Sequence, residues 1–343
     1  MTFDRRRQRT LLIGLLCLGL AVSTVAGVSI GAYPVHLENL LSGLLLNQEN
    51  RADMIIAQIR FPRVVFAILV GAALGASGAA LQVLFRNPLA DPALLGISSG
   101  AALGAVSCIV LGAALAPTFM ETLQSFAIPL AAFLAALVAT IIVIFIGGIG
   151  GKVDVPTMLL AGIAINAIAQ TGIGAMTFIA DDQQLRDLSF WSLGSLAVAG
   201  WNAPAIVGAC ILFPTAFLLA RAPDLNRYLL GEAEAQQMGV NVVALKWCIV
   251  LGVALSVGAA VSFAGIIGFV GLVVPHLVRL AVGPDNRIVV PGAMLAGATL
   301  MVLADILART IAIPAEIPVG LILGAVGGPF FLWLLTQSKR KVL

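Results

Sequence analysis

The chain has 343 residues, of which 60% are hydrophobic and 10% charged, with a formal net charge of +3 and a mean hydropathy of +1.08. Soluble domains carry about 25% charged residues, so this composition excludes a water-exposed globule and specifies an all-α polytopic membrane protein. The small positive balance gives no support to nucleic-acid binding. Cys17, Cys108, Cys210 and Cys248 sit singly in apolar runs, with no C-x-x-C, which reads as packing rather than as disulfide or metal chemistry.

Taken in chain order, Arg5, Arg6, Arg7 and Arg9 precede the apolar run 11–32. That run exceeds the roughly 7–15 residues of a signal-peptide core, so it is read as a first transmembrane helix. Apolar windows then place further spans at 62–85, 93–112, 125–147, 156–179, 201–220, 244–263, 265–281, 289–309 and 318–336, ten in all, within one transmembrane domain covering residues 1–343. Between the second and third spans lies a polar knot, Arg86-Asn-Pro-Leu-Ala-Asp-Pro92, too short for a domain and placed at a membrane face. The eighth span is short and carries Gly268, Gly271 and Pro275, the marks of a broken helix whose freed backbone groups must be satisfied by surrounding protein.

With ten spans and an inside N-terminus, 14 of the 19 basic residues fall on the cytoplasmic side and both termini are cytoplasmic. The five on the outer side are Arg51, Arg60, Arg63, Arg186 and Arg309. An exposed guanidinium there suits a carboxylate on a partner; the alternatives are headgroup snorkelling or an internal pair, notably Asp305 with Arg309 one turn apart. Asp305 is the most deeply placed carboxylate and is expected to be a structural ion-pair member rather than a proton relay. His276 is expected to be structural and His36 to be no ligand. Glycines spaced by four, at Gly71 and Gly75, at Gly96, Gly100 and Gly104, and at Gly320, Gly324 and Gly328, put small residues on single helix faces for close packing inside the subunit or along a pore or dimer seam.

The loop after the sixth span, about 223–241, is expected to form two short helices, one starting at Pro223-Asp224 and one at Gly231-Glu232. Glu232 and Glu234 suit a helix N-terminus and Gly239 suits a C-cap. Such a pair suits a handle for a soluble partner or an ordinary surface loop, and the residues alone do not favour either. Two enzyme-like patterns are set aside. Gly96-Ile-Ser-Ser-Gly100 opens an apolar helix rather than a strand-to-helix elbow, and Gly147-Gly-Ile-Gly-Gly-Lys152 lacks the Ser or Thr that a phosphate loop needs, because Val153 follows the lysine. The chain is therefore expected to be no enzyme and to hold no metal or cofactor.

Several motifs in order resemble the FecCD-type permeases, the membrane subunits of type II ABC importers for iron-siderophores, haem and cobalamin. They are Ile59-Arg-Phe-Pro-Arg63, Arg86 to Pro92, Leu95-Gly-Ile-Ser-Ser-Gly100, Gly231 to Ala235 with Met238-Gly-Val-Asn241, Gly268 to His276, and Leu303-Ala-Asp-Ile-Leu-Ala-Arg309. The resemblance implies a homodimer in the inner membrane with the path along its two-fold axis, two ATPase subunits that bind ATP and Mg, and a periplasmic binding protein docked on the outer side. It assigns ATPase coupling to Leu225, Tyr228, Gly231, Glu232, Glu234, Met238 and Gly239, and binding-protein docking to Arg60, Arg63 and Arg309. The cytoplasmic gate would comprise Asn87 and Leu89 with Val155 and Pro156, where Asp154-Val-Pro-Thr157 departs from the small hydroxyl residues frequent in the family. Phe190-Trp191-Ser-Leu-Gly-Ser-Leu196 is similar to a run in haem permeases and makes Phe190 and Trp191 candidates for the substrate mouth. Haem is the expected cargo, with ferric siderophore or cobalamin as alternatives. An ion-coupled secondary transporter is a remote one, since it would want midplane carboxylates and would leave the coupling motif unexplained.

Overall fold

The computed structural model describes residues 2–31, 51–148, 154–197 and 200–340, with side chains described for all of these except 2–6, 52 and 334–340. His36, Lys152, Val153 and Lys341 lie outside the described residues. The main helices are α1 (Thr2–Ser29), α2 (Phe61–Leu84), α3 (Ile97–Leu115), α4 (Ala127–Gly147), α5 (Val155–Ile179), α6 (Asp182–Leu193), α7 (Asn202–Ala220), α8 (Ala222–Leu230), α9 (Glu232–Gln237), α10 (Val242–Ala264), α11 (Val270–Val282), α12 (Asn286–Thr310) and α13 (Val319–Arg340). Among the described residues eight, namely α1, α2, α3, α4, α5, α7, α10 and α12, are long and apolar enough to cross a bilayer, and α11 and α13 contribute shorter apolar helices. These ten match the ten predicted segments.

Three boundaries differ from expectation, each for a local reason. The helix of the second span starts upstream at Arg51 and passes through a π-helical turn, Ile56–Arg60, into α2. The polar side chains Asp53, Gln58 and Arg60 hide that turn from an apolar window. The third span does not begin at 93. Asp91 caps a 3₁₀ turn, Pro92–Leu95, and Gly96 at φ +74° ends it, so that α3 starts at Ile97. In the eighth, residues 265–268 are non-helical and α11 begins only at Val270. The non-helical stretch is enclosed by protein: the Ser195 amide donates to the Ala264 carbonyl at 2.7 Å, and Gly194 and Gly320 lie against the Ile266 carbonyl.

α2 is the buried axis, packed by α12, α10, α7 and α11. Glycine allows its closest approaches. A Cβ on Gly71 would overlap the Gly297 carbonyl, one on Gly75 the Ala293 carbonyl, and one on Gly78 the Gly271 carbonyl. Gly100 and Gly104 do the same for α3 against Ala135 and Ala131 of α4. The third glycine series behaves differently. Gly320 abuts the Leu193 carbonyl, whereas Gly324 and Gly328 have nothing within 4 Å. Apolar side chains face outward on α1 (Leu11, Leu15, Leu18), α4 (Leu134, Val138, Phe145) and α5 (Leu160, Ile163, Ile168), as hydrocarbon-facing or subunit-facing surfaces do.

The glycine seam yields a direct expectation. Gly75→Ala forces α2 and α12 apart and destabilises the purified protein by about 1–3 kcal/mol, the usual cost of overpacking, whereas Gly324→Ala stays within about 0.5 kcal/mol. Thermal unfolding of the two variants in the same detergent checks the contrast.

Candidate functional site

Two polar regions lie at opposite ends of α2 and α12. At the knot end, Arg86 takes a left-handed conformation, φ +47°, and turns back over α8. Its Nη2 donates to the Tyr228 carbonyl at 3.2 Å, and its guanidinium lies 5.0 Å from the centre of the Tyr228 ring. The Tyr228 hydroxyl donates to Glu232 Oε1 at 3.1 Å, and the same oxygen pairs with Lys246 Nζ of α10 at 2.7 Å. Burial, with the Glu232 carboxylate beside it, pushes the Tyr228 phenol well above its usual range, so it remains a donor. α8 is tied a second time. Asn226 Nδ2 donates to Asp285 Oδ1 at 2.8 Å, and the Asn286 amide donates to Asn226 Oδ1 at 2.7 Å. Arg9 of α1 joins the same carboxylate at 3.0 Å. Burial raises the Asp285 pKa, but the hydrogen bonds from Asn226 and the Arg287 amide and the charge of Arg9 outweigh it and hold it below the ordinary carboxylate value.

The two predicted short helices are present, and their residues divide by role. Leu225 and Tyr228 are buried anchors. Glu232, Glu234, Met238 and the unforeseen Leu230 face outward. Gly231, φ +143°, leaves the space that the Glu234 carboxylate occupies. Gly239, φ +82°, closes α9 in a Schellman motif, with the Val240 amide on the Ala235 carbonyl at 2.9 Å and its own amide on the Gln236 carbonyl at 3.0 Å.

The gate candidates are not brought together within one subunit. Asn87 Oδ1 accepts from the Leu89 amide at 2.9 Å, and Leu89 shares a small cleft with His276 of α11 and with Phe330 and Phe331 of α13. Val155 and Pro156 form the first turn of α5 and do not line that cleft. There the Asp154 carboxylate caps the helix on the Thr157 amide at 3.1 Å and also accepts from the Thr157 hydroxyl, bonds that lower its pKa. Phe190 and Trp191 do not form one aromatic surface: Phe190 is exposed, while Trp191 is turned inward against the core. Consecutive helical residues point in different directions.

At the other end the arginines are not exposed. Arg60, Arg63 and Arg309 are 4%, 7% and 8% accessible. Arg63 donates from Nε to Asp305 Oδ1 at 2.8 Å and from Nη1 to Glu316 Oε1 at 2.9 Å. Arg60 Nη1 donates to the Val28 and Ser29 carbonyls at 3.0 and 2.7 Å, and Arg309 Nη2 donates to the Gly27 carbonyl. Asp305 is thus claimed chiefly by Arg63 across the α2–α12 seam. Arg309, the partner expected from i,i+4 spacing, approaches at 3.3 Å without hydrogen-bond alignment. A cavity of about 270 Å³ opens beside the cluster, lined by the three arginines, Glu316, Ile55 and Ile59. Among the described residues no group of three His, Cys, Asp or Glu side chains is placed to hold a metal ion.

The sequence model of the FecCD transport family matches residues 18–337. The chain belongs to the FecCD transport family. It is 43% identical over 337 residues to the hemin transport system permease protein HmuU of Yersinia pestis, covering 98% of both chains. It is 40% identical over 295 residues to the cobalamin import system permease protein BtuC of Halobacterium salinarum, covering 85% of this chain and 76% of that one. The fold matches a solved metal-chelate type ABC transporter in an inward-facing conformation with a TM-score of 0.81, at 28% identity, over 96% of this chain and 99% of that one. This FecCD protein is accordingly a multi-pass permease subunit of a type II ABC importer.

Within this FecCD permease, sequence reading missed Asn226, Asn286 and Lys246, polar residues whose partners lie on other helices and are distant in sequence or separated by a turn. It also missed Glu316, which lies in a short loop after α12 and meets Arg63 across 253 residues of chain.

The arginine cluster predicts an asymmetry between its two carboxylates. Asp305→Asn leaves two buried guanidiniums undercompensated and costs about 3–5 kcal/mol, while Glu316→Gln, at the exposed edge, costs under about 1 kcal/mol. Detergent-solubilised thermal melts of both variants provide the measurement.

Proposed function

We propose that this permease conducts haem inward across the inner membrane. It does so as a homodimer, with two ATP-binding-cassette subunits beneath the knot face and a periplasmic binding protein on the arginine face. The observation that carries the reading is the tie between the outward-facing helices α8 and α9 and the bundle, Arg86–Tyr228–Glu232–Lys246, which gives a soluble motor a rigid surface to push. The chain's 14 to 5 distribution of basic residues supports cytoplasmic termini and a cytoplasmic knot face. The open Gly324 and Gly328 of α13 and the exposed apolar face of α5 support a second copy packed there. ATP and Mg belong to the partner ATPase in this reading, and the permease contributes only conformational change.

Full-length similarity to a hemin permease supports haem. The similarity to a cobalamin permease supports a second reading with the same machinery and a different macrocycle. An ion-coupled mechanism is disfavoured by Asp305, whose carboxylate lies between two arginines rather than facing a water path. Docking of a binding protein is supported by the ion pair of Arg63 with the half-exposed Glu316 at the edge of the outer cavity.

Reconstituted with its ATPase and binding protein, the permease is expected to accumulate haem in an ATP-dependent manner in preference to a ferric siderophore or cobalamin. Preferential uptake of either competitor would reassign the cargo. Glu232→Lys places two cations together and frees Tyr228, so uptake should fall at least tenfold while ATP is still hydrolysed; unchanged uptake refutes the coupling role. Glu316→Gln should strengthen binding-protein docking several-fold at low salt by releasing Arg63, and an unaltered, salt-insensitive affinity would remove the arginine face from the docking surface.

A further inference from the structure

α5 buries less of itself than any other long helix except α1, so what fixes it to the bundle is a short list of contacts. Among the described residues one side chain of α5 hydrogen-bonds to another element. Asn166 Nδ2 donates to the Ala93 carbonyl at 3.2 Å, and its Oδ1 accepts from the Ser99 hydroxyl at 2.5 Å. One turn earlier, Gly162 lies so close to the Leu94 carbonyl that a Cβ would overlap it. Ile165 packs over Gly96, whose φ of +74° closes the same turn. Three neighbouring positions of α5 therefore grip a single object, the turn Ala93–Gly96.

That turn directly follows the knot, whose upstream end is Arg86, fastened to Tyr228 of α8. Between the ends the knot is internally braced. The Ala90 amide donates to the Asn87 carbonyl at 3.1 Å, the Leu89 amide to Asn87 Oδ1 at 2.9 Å and the Ala93 amide to Asp91 Oδ1 at 2.9 Å, with Pro88 and Pro92 restricting the backbone. Such a segment moves as a unit rather than absorbing displacement.

We propose that Asn166 is a positioning residue, a latch through which the braced knot carries displacement of α8 and α9 to α5. The inference rests on the reading that α8 and α9 receive the ATPase. The amide is partly buried, and its two directional bonds to Ala93 and Ser99 hold the latch closed while the knot moves. The contact is specific in kind: Gly162 and Ile165 supply proximity, and Asn166 supplies the directional bond.

The test uses the complete reconstituted complex with spin labels on exposed positions, Ala233→Cys in α9 or Ala164→Cys in α5, and reads each distance across the two-fold with and without ATP. In the otherwise unaltered complex both distances should shift on ATP binding. In Asn166→Leu the α9 distance should still shift, the α5 shift should be lost, and the ATP consumed per molecule transported should rise at least fivefold. Ser99→Ala reaches the same bond without altering α5 and should raise that ratio in the same direction, whereas Ser99→Thr, which keeps the hydroxyl, should restore it. A full α5 shift in Asn166→Leu, or equal behaviour of Ser99→Ala and Ser99→Thr, overturns the latch while leaving the coupling reading intact. Absence of an α9 shift in the unaltered complex overturns the coupling reading and the latch together.

Discussion

The backbones of α2 and α12 touch at Gly71 with Gly297 and at Gly75 with Ala293, and most other features take their position from that contact. Lipid tails are as apolar as leucine, so helices in a bilayer associate by close packing rather than by escape from water. Glycine permits the approach, and the approach sets both ends of the pair. At one end α2 delivers Leu84 and Arg86 to Tyr228 while α12 delivers Asp285 and Asn286 to Asn226. At the other, α2 delivers Arg63 to Asp305 on α12. A shift of one helix along the other would break bonds on both faces at once.

Charge placement follows from the same medium. A buried ion is tolerated only with a partner and with its remaining hydrogen-bonding groups satisfied. Arg60 and Arg309 answer this largely with carbonyls of the last turns of α1, Gly27, Val28 and Ser29, which are the orphan acceptors at a helix C-terminus. The arginines thus satisfy the helix end and the helix end satisfies the arginines. The mutual arrangement explains why basic residues are retained on a face where Lys and Arg are otherwise scarce.

Much of this was legible in the chain itself. Ten apolar segments, the short eighth helix, the helix pair near 223–241 and its Gly239 cap all follow from periodicity, length and turn chemistry, which are local properties. The misses share the opposite character. The upstream start at Arg51 was hidden because a helix can carry polar residues that an apolar window rejects. Arg63 with Asp305 was hidden because i,i+4 spacing offered Arg309 as a nearer candidate, while the true partner lies 242 residues away. Asn166 was passed over because one asparagine in an apolar helix gives no sign of what it faces. Phe190 and Trp191 adjoin in sequence, yet the helix turns the first outward and the second toward the core, which adjacency does not reveal. Their family assignment was secure from motif order, whereas cargo preference depends on surfaces that a second subunit completes.

Arg63 holds two carboxylates of unlike standing: Asp305, sealed at 1% side-chain exposure, and Glu316, open at 46%. The inner one fixes the guanidinium in place whatever happens outside. The outer one is replaceable, since an arriving acid that displaces it substitutes like for like and strands no ion in hydrocarbon. Under the proposed docking, association at this surface would be an exchange of ligands on a pre-formed cation, reversible at little cost in either direction.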